Sequence, residues 1–96
     1  NRLIQSLKLK GYGPYKIAYE LEKKGIAKEI YHPILFNKNQ KFEEILAGLY
    51  YKKNKNVPFP QKKEDISKQI RFFVNRGFSL EMIQTCLENF KHFNHQ

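Results

Sequence analysis

Ninety-six residues carry eighteen Lys and Arg against nine Asp and Glu, a net charge of +9, and 41% of the chain is hydrophobic with eight Phe, six Tyr and no Trp. That length suits one compact domain or two small helical units sharing a core, and the composition excludes a disordered chain. Cys86 is the single cysteine, which excludes an internal disulfide and a cysteine-built zinc site.

No apolar run approaches the roughly 18 to 20 residues of a membrane span, and no apolar secretory stretch opens the chain. A cytoplasmic protein is therefore expected. Apolar residues recur at spacings of three and four between Gly, Pro and Asn, so the expected fold is all-α, with about six short helices and no strand. The first helix spans about Arg2 to Lys10, with Leu3, Ile4 and Leu7 on one face and Gly11 as its stop. Gly13 and Pro14 open the second, since proline at the first helical position gives up no hydrogen bond. It runs to about Lys24, with Pro14, Ile17, Ala18 and Leu21 inward and Lys16, Glu20 and Lys24 spaced for i,i+4 pairs outside. A third, from about Ala27 to Phe36, is expected to bury Ile30, Ile34 and Leu35, with Pro33 removing one backbone bond.

The fourth helix, about Gln40 to Lys53, places Phe42, Ile45, Leu46 and Leu49 at i, i+3, i+4 and i+7. Pro58 and Pro60 make residues 54–62 the longest loop. The fifth, about Lys63 to Arg76, is expected to bury Ile66, Ile70, Phe73 and Val74 and to expose Lys68, Arg71 and Asn75. Gly77 ends it. Ser79 then caps a sixth helix running to about Lys91, with Ile83, Cys86, Leu87 and Phe90 on one side. Residues from His92 to Gln96 are expected to fray.

One phrase occurs three times: LKLKGY from Leu7, LEKKGI from Leu21 and FVNRGF from Phe73. Each is a helix end in which a basic residue faces the last carbonyls, glycine takes positive φ, and the next apolar residue folds back on the preceding turn. Setting LEKKGIAKEIYHPIL over FVNRGFSLEMIQTCL aligns Gly25 with Gly77, Glu29 with Glu81 and Leu35 with Leu87, which implies two related helical units that bury their apolar faces on each other.

These phrases resemble the RecX family of RecA regulators. Gly11 to Gly13, Pro14 and KIAYELEKKGI (16–26) are similar to the family's second three-helix repeat, and KQIRFFVNRGF (68–78) to its third. The likeness runs from about Arg2 to Phe90 and leaves out the first repeat. Tyr12 departs from it, standing where the family usually has a basic residue, and so does Pro33. The resemblance implies repeats at 1–36 and 37–96 stacked into an elongated, curved rod. It also implies a monomer without catalysis or cofactor that lies in the groove of a RecA filament on single-stranded DNA and hinders ATP turnover and strand exchange.

The residues themselves offer no competing chemistry. His32 is isolated and His92 and His95 are terminal, so a metal site is not expected. Cys86 lies on an apolar stripe and reads as a core thiol. No phosphate-binding glycine loop is present. Contact candidates are the basic set Lys16, Lys23, Lys24, Lys68, Arg71 and Arg76, expected on the outward sides of the second and fifth helices, together with Tyr15, Tyr19 and Phe72. Tyr50, Tyr51 and Phe59 also lie off the main stripes. The same residues would serve a direct, sequence-independent DNA-binding module or an adaptor for an acidic protein, and they would equally suit a solvated basic surface with rings packed between the units.

Overall fold

The computed structural model describes residues 2–93, with side chains through His92. It contains α1 (Arg2–Leu9), α2 (Pro14–Lys23), α3 (Lys28–Leu35), α4 (Phe42–Lys53), α5 (Lys63–Asn75) and α6 (Leu80–Phe93), with a 3-10 turn at Lys38–Gln40 ahead of α4. Among the described residues there is no strand, and no helix is long and apolar enough to cross a membrane. The fold class is the expected one. The long loop falls at 54–62, between α4 and α5. The helix over 80–93 outlasts its expected end at Lys91; the rest of the expected frayed tail, 94–96, lies outside the described residues.

All three helix-end phrases form the same stop. Gly11, Gly25 and Gly77 have φ of 85°, 83° and 99°, and the amides of Tyr12, Ile26 and Phe78 donate to the carbonyls of Leu7, Leu21 and Phe73 at 3.2, 3.1 and 3.2 Å. This is the six-to-one bond of a Schellman end, and it satisfies carbonyls that the helix itself leaves unpaired. The Ser79 hydroxyl accepts from the Met82 amide at 3.1 Å, capping α6 as expected.

One apolar core runs through every helix: Ile4 and Leu7 of α1, Ile17 and Leu21 of α2, Tyr31 and Leu35 of α3, Phe42, Leu46 and Tyr50 of α4, Phe73 of α5, and Ile83, Cys86 and Leu87 of α6. Each such aliphatic or aromatic side chain contributes about 1.5–3 kcal/mol by leaving water. Helix α2 packs on α1 and α3, while α4 and α5 both pack on α6. The molecule measures 44 × 24 × 19 Å.

Several expected phases are corrected. In α3 the buried residues are Tyr31 and Leu35, whereas Ile30 and Ile34 are 62% and 41% exposed. Residues 30/34 and 31/35 are parallel i,i+4 pairs on adjoining strips of one short helix, and the strip that turns inward is the one whose tyrosine hydroxyl donates to the Glu22 carboxylate at 2.6 Å. In α5, Val74 is 46% exposed and Ile66 and Ile70 are only partly covered, leaving Phe73 as the buried anchor. The expected start of the fourth helix at Gln40 is replaced by the 3-10 turn and by Lys41 in the left-handed region at φ 56°. Tyr50 and Phe59 are not surface rings: Tyr50 is buried 4.5 Å from the Phe90 ring, and Phe59 packs on the core. The i,i+4 pairing of Lys16, Glu20 and Lys24 gives way to Lys23–Glu20 at i,i+3 and 3.8 Å, and Lys16 instead lies over the Tyr12 ring.

The α1–α2 and α5–α6 turns are joined backbone to backbone. The amide of Gly13 donates to Arg76 O at 2.7 Å and that of Tyr15 to Gly77 O at 2.9 Å. The approach is so close that a Cβ on Gly13 would lie 2.5 Å from the Gly77 carbonyl, and a Cβ on Gly77 would lie 2.5 Å from the Lys16 nitrogen. The α1–α2 turn and the α5–α6 turn therefore touch through glycine on both sides.

Candidate interaction surface

The joined turns collect three cations, one each from α2, the end of α4 and the end of α5. Lys16 sits against Gly77, next to Arg76, and its ammonium lies 4.9 Å from the centre of the Tyr12 ring. Arg76 donates from Nη1 to Lys10 O at 3.2 Å, and its guanidinium carbon is 5.4 Å from the centre of the Phe72 ring. Lys53, from the end of α4, stands 4.6 Å from the same ring. Each such cation–ring contact contributes about 0.5–1 kcal/mol at an exposed site and fixes where the charge stands. Among the described residues, ion pairs are confined to Lys23–Glu20 and His92–Glu88, so the cations of this seam have no carboxylate partner.

The nine expected contact residues do not form one group. Lys16, Phe72 and Arg76 meet at the seam. Lys68 lies beside it on α5, lining with Lys53, Asn54 and Gln69 a hollow under the 54–62 loop. Arg71 is exposed on α5, and Lys24 is exposed at the end of α2. Tyr15, Tyr19 and Lys23 belong to a different surface, where α2 meets α3: Tyr15 packs edge-on against Phe36 at 5.3 Å, and Lys23 lies 5.3 Å from the centre of the Tyr19 ring. Tyr51 is exposed on α4. Lys53 was absent from the sequence-based set because its place over Phe72 depends on how α4 and α5 pack. An Asn54–Gln69 amide pair, with bonds of 2.8 and 3.4 Å, ties the end of α4 to α5 there.

Cys86 is buried, and burial pushes its thiol up to about 11, away from the thiolate that a nucleophile requires. No group of three or more His, Cys, Asp or Glu among the described residues is arranged to hold a metal ion; His95, one of the terminal histidines considered above, lies outside them.

Three curated proteins illustrate what the chain is similar to in sequence. The regulatory protein RecX of Cronobacter sakazakii is 31% identical over 90 residues, covering 94% of this chain and 54% of the relative. The regulatory proteins RecX of Salmonella arizonae and Salmonella typhimurium are 33% and 32% identical over 89 residues, covering 93% of this chain and 53% of each relative. The chain thus spans about half the length of the curated relatives it matches. No protein-family model matches the chain. No solved structure matches it.

Proposed function

The chain belongs to the RecX family, and from that premise we propose that it regulates RecA without chemistry of its own, by lying along the recombinase filament on single-stranded DNA in the cytoplasm. Similarity along 94% of the chain carries this reading. In it, residues 1–36 and 37–96 are two three-helix repeats, a division supported by the matched stops at Gly25 and Gly77. A monomer bridges neighbouring recombinase subunits and slows ATP turnover and strand exchange. The unopposed cations at the seam favour it, because a DNA-bearing filament is strongly negative and complementary charge speeds docking.

A second reading, direct binding to single-stranded DNA, is favoured by one specific feature: Phe72 is an exposed ring with two cations beside it, a combination of aromatic and basic groups suited to single-stranded nucleic acid. Titration onto RecA-coated and bare single-stranded DNA at low and moderate salt separates the two. Preferential, salt-tolerant binding to coated DNA is the expected result, followed by a fall in RecA ATPase. Equal binding to both that collapses as salt rises would replace the filament reading with the direct one.

A further inference from the structure

Five of the fifteen lysines stand within the twelve residues from Lys52 to Lys63, a stretch without Asp or Glu. All five are exposed, as is Lys68 on α5, and none is in an ion pair among the described residues. The fold gathers them as well as the sequence. The Asn54–Gln69 amide pair ties the end of α4 to α5, so that Lys53 and Lys62, from opposite ends of the loop, line one hollow with Lys68. The loop between them is anchored: the Val57 amide donates to Asn54 O at 3.0 Å, Asn56 takes φ of 64°, and Phe59 packs on the core.

Fold stability does not account for these lysines. Lys52 and Lys53 suit the C-terminus of α4, but Lys62 is the N-cap of α5 and Lys63 its first residue, where positive side chains oppose the helix dipole and no side chain caps the amides. Glu64 and Asp65 do suit that end, yet six lysines against these two carboxylates leave residues 52–68 at +4. A local rule broken without a return in stability is expected where a partner supplies the return. The side chains describe that partner. Lysine meets phosphate as a point charge, and the stretch has no arginine, whose planar fork recognises single anionic groups in fixed geometry. Its one ring, Phe59, packs on the core, so the loop offers nothing to stack on an unpaired base, in contrast to Phe72 at the seam. Among large apolar side chains it exposes Val57 alone, too little to seat in a lipid interface. Diffuse positive charge without base contacts fits a polymer whose bases are already stacked inside and whose phosphates are densest, a duplex with one charge per about 1.7 Å of its axis. We propose that the α4–α5 loop, through Lys52, Lys55, Lys62 and Lys63 with the adjoining Lys68, binds the phosphate backbone of duplex nucleic acid without reading its sequence. Lys53 joins this contact to the seam, but the proposal does not depend on which partner the seam engages.

The test titrates the 96-residue chain onto a short labelled DNA duplex of mixed sequence, and onto one of its strands alone, between about 50 and 200 mM salt. Two triple variants of equal net charge are compared: Lys55→Gln, Lys62→Gln and Lys63→Gln in the loop, and Lys24→Gln, Lys28→Gln and Lys38→Gln away from it. All six side chains are exposed, so circular dichroism should show the folded spectrum in each case. The loop triple should lose at least tenfold in duplex affinity at the lower salt, and the slope of log affinity against log salt should shrink by about 2–3, close to one for each lysine removed. The other triple should change both by less than half as much. No duplex binding by the unaltered chain, equal losses from the two triples, or tighter binding of the single strand than of the duplex would each overturn the proposal. So would polyglutamate or phosphatidylserine vesicles that compete as strongly as unlabelled duplex. A loop triple that loses the duplex while still binding RecA-coated single-stranded DNA at moderate salt would separate this contact from the filament reading.

Discussion

Glycine is required for different reasons at three positions and for none at a fourth, and alanine substitution tells them apart. Gly77 combines φ of 99° with contact against Lys16, so Gly77→Ala has both a strained backbone and no room. Gly13 has ordinary extended backbone, φ −83° and ψ 174°, so its alanine variant suffers from the clash with Gly77 alone. Gly25 has φ of 83° but open space around it, which costs about 1–2 kcal/mol. Gly48 lies inside α4 with nothing within 4 Å, so Gly48→Ala should stabilise the protein by about 1 kcal/mol. Urea denaturation should therefore rank Gly48→Ala above the parent chain, then Gly25→Ala, with Gly13→Ala and Gly77→Ala lowest. An unchanged midpoint for Gly13→Ala would mean that the two turns do not touch in solution. Ser79→Ala, which removes the α6 cap, should cost about 1 kcal/mol in the same assay.

Tyr31 gives the residue scale a pH signature. Its hydroxyl donates to Glu22, and that bond, followed by burial and the nearby Glu22 and Glu29 charges, pushes the phenol up to about 12 from 10.0. Its folded value lies above its unfolded one, so the contribution to stability is complete below about pH 10 and is lost as pH rises from there through 12. Tyr31→Phe should flatten the alkaline decline of stability over that window in denaturation curves, and an equally steep decline would show that Tyr31 is not its source.

At the scale of elements, what could be read from the sequence was the set of starts and stops, because these depend on local chemistry. Gly11, Gly25 and Gly77, Pro14 and Ser79 each act where they stand, and the helices between them follow. Burial depends on which strip of a helix meets a neighbour, and that information is spread over the chain. Ile30 and Tyr31 are adjacent, each with an apolar partner four residues on, and hydrophobicity alone prefers the isoleucine. The Glu22 carboxylate that selects the tyrosine belongs to another helix. The same distinction applies to the contact surface: Lys16, Phe72 and Arg76 could be named from composition and spacing, but Lys53 and the separation of Tyr15 and Tyr19 from the seam required the packing of the end of α4 against α5 and of α2 on α3. A pair of substitutions tests the phase of α3 directly. Leu35→Ala should destabilise by about 2–5 kcal/mol, whereas Ile30→Ser should leave the thermal midpoint within about 2–4 °C, since an exposed change of about 0.5 kcal/mol shifts a domain of this size by no more.

The whole molecule places its cations unevenly, and charge reversals should reflect that. Lys53→Glu with Phe72→Ala strikes the seam, while Lys24→Glu with Arg71→Glu changes the net charge by the larger amount and leaves the cation–ring contacts of the seam in place. If the seam is the docking surface, the first pair should weaken binding to RecA-coated DNA by tenfold or more, and the second should act mainly on the association rate at low salt. Equal losses for the two pairs would mean that net charge alone attracts the partner.

The bonds between the α1–α2 and α5–α6 turns also bear on how the protein is made. Synthesis delivers Gly13 and Tyr15 long before their acceptors on Arg76 and Gly77, and the guanidinium that reaches back to Lys10 O lies 66 residues further along. Until that point the ribosome holds a chain whose α1–α2 turn has two amides without their final partners and whose α1 and α2 lack the rest of their core. Exposed core surface of that kind is what chaperones and proteases act on, and the contact between the α1–α2 and α5–α6 turns, 66 residues apart at Lys10 and Arg76, closes only after α3, α4 and α5 have emerged.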